Sequence, residues 1–307
     1  MKRLKNILFW ILAVLLTLGM ARYQRKTGPT YPVDGTVAIG DQEITYHLTR
    51  SHGGEGDHTV TFTLPEGYEA VLAWKRYPLD EPYQMVQMQP DGEGNVTAPL
   101  PHQPPAGKLA YHLMVRPNPI SNWTPIPEHE DVIIRFKGSV PGGVLAPHIL
   151  LMFIAMLLST RAAIAAIAGE RVRPIAIIAF ICLLIGGLFL GPVVQKFAFG
   201  EYWTGWPFGE DYTDNKTAAA VIAWAVALWF LRGPQGEKRG RWWSFGAAMV
   251  LLVVYMIPHS LGGSTFNYET GEIATGGNPV EVQATTGTQV VISGAEEEQD
   301  GASEERE

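Results

Sequence analysis

The chain has 307 residues, a net charge of −7 and only 17% charged residues, against roughly a quarter in an average soluble domain. Its single cysteine, Cys182, excludes an intrachain disulfide, a Cys-x-x-Cys redox pair, a thiolate zinc site, an iron–sulfur cluster and covalent haem attachment within this chain. The acidic balance argues against a nucleic-acid partner.

Apolar residues collect in long runs, and charged residues lie between them. Lys2, Arg3 and Lys5 precede the apolar core of residues 7–21. A basic start and a core of about 15 residues suit a signal anchor that sends the following segment across the membrane. Trp10 inside the run and Arg22 after it make a poor cleavage site, so residues 1–21 are expected to remain as a transmembrane helix.

Residues 22–143 predict an all-β region. The runs GTVAIG, EITYHLTR, HTVTFTL, EAVLAWKR, PYQMVQMQ, GNVTAPL, KLAYHLMV and DVIIRFKG show partial period-two alternation, with Gly, Pro, Asp and Asn clusters between them. That rhythm suits an antiparallel, Ig-like β-sandwich. Trp74 and Tyr111 are expected in its core. The Pro-rich stretch 117–130 reads as a loop.

Four further apolar runs, 144–160, 174–195, 218–231 and 242–258, each predict a helix close to bilayer thickness. The expected fold is therefore an α-helical membrane bundle of about five spans with an extracytoplasmic all-β sandwich. Arg161, Arg171 and Arg173 in one short loop, and Arg232, Lys238, Arg239 and Arg241 in another, place those loops in the cytoplasm by the positive-inside rule. The β region, the loop 197–217 and the tail then face outward from a plasma (inner) membrane. The tail 262–307 ends in AEEEQDGASEERE, and its acidic part is expected to be disordered. Gly186, Gly187 and Gly191 predict a smooth face for a neighbouring helix, and Pro192 a kink.

The loop 197–217 mixes large aromatics, glycines and acids. An aromatic belt accounts for Trp and Tyr at an interface without further function. Glycines among large rings also permit close approach to a flat ligand, and Trp and Tyr offer broad apolar faces with polar handles. His148 and His259 fall at one expected membrane depth on either side of this loop. Two neutral imidazoles so placed can be axial ligands to a haem iron. Interfacial residues satisfied by water or headgroups are the alternative.

The stretch Ala198-Phe199-Gly200-Glu201-Tyr202-Trp203-Thr204, followed by Gly205-Trp206-Pro207, resembles the tryptophan-rich WWD motif of the haem-handling membrane proteins of cytochrome c biogenesis. The resemblance covers residues 144–264. It implies haem as cofactor, His148 and His259 as its ligands, and Gly200, Tyr202, Trp203 and Trp206 as its platform. Trp224 and His259-Ser260 also stand where the family has a Trp and a His-Ser pair. Phe199 replaces the first Trp of the motif, Gly205 is an extra residue, and no Asp follows Trp206.

His52 and His58, with Glu55 and Asp57, have metal-ligand residue types but read more simply as a solvated hairpin tip. The functional expectations are haem handling at the outer membrane face, an accessory subunit of a respiratory or photosynthetic complex, or a ligand-sensing module built on the sandwich. The expected partners are the lipid bilayer and other membrane or extracytoplasmic proteins.

Overall fold

The computed structural model describes residues 2–209, 211–258 and 263–274. Helix α1 spans Lys2–Thr27, a full turn and more beyond the expected anchor. α2 spans Gly142–Ala168 and α3 spans Arg173–Leu183. A π-helical stretch, Leu184–Leu190, joins α3 to α4, Gly191–Phe199, so that 173–199 is one continuous helix. α5 spans Tyr212–Phe230 and α6 spans Gly236–Met256.

Among the described residues, three helices are long and apolar enough to cross a membrane: α1, α2 and the continuous helix 173–199. This corrects the expectation of about five spans. The runs 218–231 and 242–258 do form helices. Each, however, opens on polar residues, Tyr212-Thr-Asp-Asn-Lys-Thr in α5 and Gly236-Glu-Lys-Arg-Gly-Arg in α6. Their apolar parts are 14 and 17 residues, short of the roughly 20 a spanning helix uses.

Helix α2 packs against α1, α3, the π-helical stretch and α6, and α5 packs against α6 and α3. Small buried residues permit this closeness: Ala162, Ala163, Ala165 and Ala166 on α2, Ala220 and Ala227 on α5, Ala247 and Ala248 on α6. At Gly186 an added Cβ would stand 2.8 Å from Leu151 Cβ of α2, and at Gly187 3.0 Å from Thr217 Cγ2 of α5. The π-helical stretch ends at Leu190, two residues before Pro192, which has no N–H to donate; the Gly191 N–H between them reaches back five residues to Gly186 O.

The β region contains β1 (Val33–Ile39), β2 (Gln42–Leu48), β3 (Ser51–Gly53), β4 (His58–Thr63), β5 (Glu69–Arg76), β6 (Gln84–Gln87), β7 (Gln89–Pro90), β8 (Asn95–Leu100), β9 (Lys108–Arg116), β10 (Thr124–Ile126) and β11 (Val132–Lys137). One sheet has the order β3-β11-β9-β5-β6, with β10 also on β9; β4-β8-β7 and the β1–β2 hairpin form smaller sheets. A single core of buried residues lies between them, with Tyr111, Leu113 and Phe136 fully covered and Trp74 at its edge. Central β5 and β9 carry apolar residues on both faces, so strict alternation is lost there.

Two expectations are corrected here. β3 pairs parallel to β11, with His52 opposite Phe136, so the main sheet is mixed and not purely antiparallel. Within the Pro-rich stretch, Thr124–Ile126 pairs with β9 as a strand. The expectation of a disordered tail falls mainly on 275–307, outside the described residues. Before it, β12 (Thr265–Phe266) and β13 (Ile273–Ala274) form a hairpin.

The bundle has two unlike ends. At one, the start of α1 meets α2 and the α2–α3 turn meets the start of α6: Arg161 of α2 bonds Asn6 of α1, and Glu237 of α6 accepts from the Val172 and Arg173 amides. Lys2, Arg3, Lys5, Arg171, Arg173, Arg232, Lys238 and Arg239 gather at this basic end. At the other, the β region joins the bundle: Gly138 N–H donates to Ala198 O at the end of α4 (2.9 Å). The segment 263–274 straps the two together. Phe266 N–H donates to Ala106 O (3.1 Å), Lys108 Nζ to Thr265 Oγ1 (2.5 Å), and Tyr268 Oη bonds both the N–H and the C=O of Lys108.

Candidate functional site

At the β-region end, α4 stops at Gly200, whose left-handed conformation (φ 90°) returns its N–H to Lys196 O (3.0 Å). An ideal Cβ there would lie 2.9 Å from Ile273 Cδ1 of the strap. α5 starts after Asp211, whose Oδ1 accepts from Thr213 N–H (2.6 Å), an N-cap helped by the positive end of the helix dipole. The loop between them is held from beneath by α5 and α4.

Asp214 makes that grip. It is 5% exposed, and its Oδ2 accepts from the N–H of Thr204 (2.6 Å), the N–H of Gly205 (3.0 Å) and Gln195 Nε2 (3.2 Å). Burial pushes this carboxyl up from the usual range, and the hydrogen bonds from Thr204, Gln195 and Gly205 offset part of the shift. Asn215 Oδ1 accepts from Trp206 N–H (2.7 Å). Gly205 leaves no room for a side chain, since its Cβ would stand 2.6 Å from Asp214 Cβ.

On this base the loop lifts three rings into the open: Tyr202, Trp206 and Phe208 are 57%, 78% and 79% exposed. Trp203 lies half-buried below them, its Nε1 donating to Trp206 O (3.2 Å). Tyr202 has the Lys196 ammonium 5.4 Å from its ring centre. The structure thus brings Gly200, Tyr202, Trp203 and Trp206 onto one ledge.

His148 stands elsewhere. Its Nδ1 bonds Gly186 O (2.8 Å), and its ring lies beside Gly191. Gly191 precedes Gly200 by nine residues of helix, about 13 Å along the axis. A carbonyl partner fixes Nδ1 as the donor and leaves Nε2 as an acceptor in the neutral ring. That arrangement fits an axial ligand oriented by a backbone carbonyl. His259 lies outside the described residues, and the other described imidazoles all belong to the β region. Among the described residues no group of three or more His, Cys, Asp or Glu is placed to hold a metal.

The sequence reading missed the junction itself. Arg135, 8% exposed, donates from Nη2 to Ser264 O (2.6 Å). Burial lowers its pKa to about 10, with Asp211 acting the other way. Lys108, close by, is lowered to about 8 by burial and by the charge of Arg135. Also missed was an acid–base network on the β region. Asp131 accepts from Tyr83 Oη (2.5 Å) and from His112 Nδ1 (2.8 Å), and these bonds hold its carboxyl low although burial alone would raise it. Asp131 lines a groove of about 480 Å³ with Tyr46, Arg50, Glu128 and His129. Alternation and spacing gave no signal for either, because the partners come from segments far apart in sequence.

No family model matches the chain, and neither a curated protein nor a solved structure is significantly similar to it.

Proposed function

We propose that the chain is a membrane-anchored accessory subunit that docks a partner protein through the ledge formed by Tyr202, Trp206 and Phe208. The observation that carries this reading is the contrast between the rings and their base. Trp206 and Phe208 are more than three-quarters exposed, yet the loop bearing them hangs on a buried carboxylate and two backbone amides. Clustered exposed aromatics on a preorganised loop are what partner hot spots are made of. The β region, strapped to the bundle beside the ledge, would extend the same surface. The positive-inside rule puts the basic end in the cytoplasm, and hence the ledge and the β region outside the plasma membrane.

The test is native electrophoresis after mild detergent extraction, comparing wild type with the Trp206→Ser/Phe208→Ser double variant. The reading expects wild type in a larger species of defined subunit composition and the variant as a monomer. A strictly monomeric wild type would sink it.

Haem handling is the second reading, favoured by the His148 imidazole with Nδ1 bonded to Gly186 O and Nε2 left as an acceptor. Haem added to the purified protein should then give a Soret band that the His148→Ala/His259→Ala double variant lacks. Equal spectra would end this reading.

A further inference from the structure

Arg161 lies about two turns before the end of α2, and only 3% of it is exposed. Its Nη2 donates to Asn6 Oδ1 of α1 (2.8 Å) and to Glu170 Oε2 in the α2–α3 turn (2.7 Å). Its guanidinium lies 5.5 Å from the ring centres of Phe9 and Trp10. Its Nε and Nη1 are buried and have no partner in the protein.

A second guanidinium meets the same turn. Arg241 of α6 places Nη1 3.7 Å from where a Cβ on Gly169 would stand, and Gly169 is the neighbour of Glu170. The Nε of Arg241 is likewise buried and unpartnered. The carboxylates of this turn are already engaged, Glu170 by Arg161 and Glu237, from α6, by the amides of Val172 and Arg173.

A buried charged donor left unpaired is costly, so unpaired N–H groups on two cations that meet one turn call for acceptors from outside the chain. A phosphate group supplies several acceptor oxygens with negative charge, the chemistry a guanidinium recognises best. These donors sit at the basic end of a bundle in which three helices are long and apolar enough to cross a membrane, and the end of such a bundle is the level at which lipid headgroups lie. Beside them α1 turns Leu8, Ile11 and Leu15 outward, an apolar strip for acyl chains. Basic pockets between spanning helices are known anionic headgroup sites.

We propose that Arg161 and Arg241 form a binding site for the phosphate headgroup of an anionic phospholipid, at the junction of α1, α2 and α6. The site is independent of the aromatic ledge. Its occupation ties the anchor helix α1, otherwise mostly exposed, to the rest of the bundle.

The full chain in detergent is supplemented with phosphatidylglycerol, phosphatidylcholine or inorganic phosphate, and retained ligands are counted by native mass spectrometry. Wild type should keep phosphatidylglycerol over phosphatidylcholine. Arg241→Gln, which spares the Arg161–Glu170 pair, should lower that retention about tenfold, as loss of one charged hydrogen bond implies. Arg161→Gln should do the same, and circular dichroism checks that it still folds. The exposed-site variant Arg239→Gln should retain lipid as wild type does. Equal retention of the two lipids overturns the proposal, as does a loss in Arg239→Gln equal to that in Arg241→Gln. If inorganic phosphate at millimolar concentration displaces the lipid, the ligand is the free ion and the lipid assignment falls.

Discussion

The guanidinium carbon of Arg135, on β11, stands 3.9 Å from the ring centre of Phe199, the last residue of α4. The same side chain holds Ser264 O in the strap and feels the charge of Asp211 at the start of α5. One arginine thus meets the β region, two helices and the C-terminal segment, and a cation over an aromatic face in a desolvated setting is a strong form of that contact. Replacing it by leucine leaves Ser264 O buried without a donor, at a cost of about 1–3 kcal/mol. Arg135→Leu should lower the thermal midpoint and expose 263–274 to protease in limited digestion. Arg135→Lys should recover only part, because an ammonium lacks the planar fork. Unchanged digestion in Arg135→Leu would show that the strap is held by its bonds to Ala106 and Lys108 without help from the arginine.

Three imidazoles surround one end of the β region. His52 and His102 both bond Gly56 O, His58 Nε2 bonds Thr49 Oγ1 (2.7 Å), and the His52 and His58 rings are 5.0 Å apart. Burial, then the neighbouring His52, lowers the pKa of His58 below 6.5. The folded chain therefore binds this proton less readily than the unfolded chain does. Its contribution is complete above the unfolded value and is lost as the pH falls below it. Between about pH 7 and pH 5 the thermal midpoint should decline, and His58→Gln should flatten that decline. Asp131, whose pKa is lowered, loses its contribution only on acidification below its unfolded value of 3.8, so the two windows are separate. A wild-type curve flat across this range would remove His58 from the account.

Asp214 carries the ledge, and its substitutions separate charge from shape. Asp214→Ala orphans the buried amides of Thr204 and Gly205, a loss of about 2–6 kcal/mol for the two. The loop should loosen, read as a shift in tryptophan emission and faster cleavage near Trp206. Asp214→Asn keeps one oxygen for the same amides and should be milder. Equal effects of both would mean that the negative charge, and not the acceptor, holds the loop.

Much of this architecture is legible in the sequence. All eight apolar runs of 22–143 contain a strand, because alternation reports which residues one sheet face buries. The glycines of 184–191 are seen as a helix-packing face, and Gly186 and Gly187 do meet α2 and α5. The parallel β3–β11 pair is not legible: Ser51–Gly53 is too short to carry a pattern, and its partner lies more than 80 residues on. The strap is equally silent, since Ser264 and Thr265 look like tail residues until Arg135 and Lys108 are brought to them by the fold. On the ledge, the exposed rings stand out in the sequence, but Asp214, one acid among several, does not. The fourth and fifth apolar runs mislead in the opposite sense: helix is right, while their polar opening turns shorten the apolar length.

Two glycines in the bundle make opposite predictions from one physical rule. Gly186 faces α2 so closely that an added methyl would sit 2.8 Å from Leu151 Cβ and 3.3 Å from Met152 N. Its carbonyl also accepts from His148 Nδ1 and from Gly191 N–H. Gly186→Ala must therefore push α2 away, opening an interface whose tight packing has no slack, with a cost of about 1–3 kcal/mol. Gly246, within α6, has nothing within 4 Å of its added Cβ. There alanine only narrows the backbone freedom of the unfolded chain, a gain of about 0.5–1 kcal/mol. Thermal melting of both variants in the same detergent checks the pair: the midpoint should fall for Gly186→Ala and rise for Gly246→Ala. A fall for both would mean that the exposed side of α6 is itself covered by another surface, and a rise for both that α2 and the continuous helix 173–199 do not pack as described.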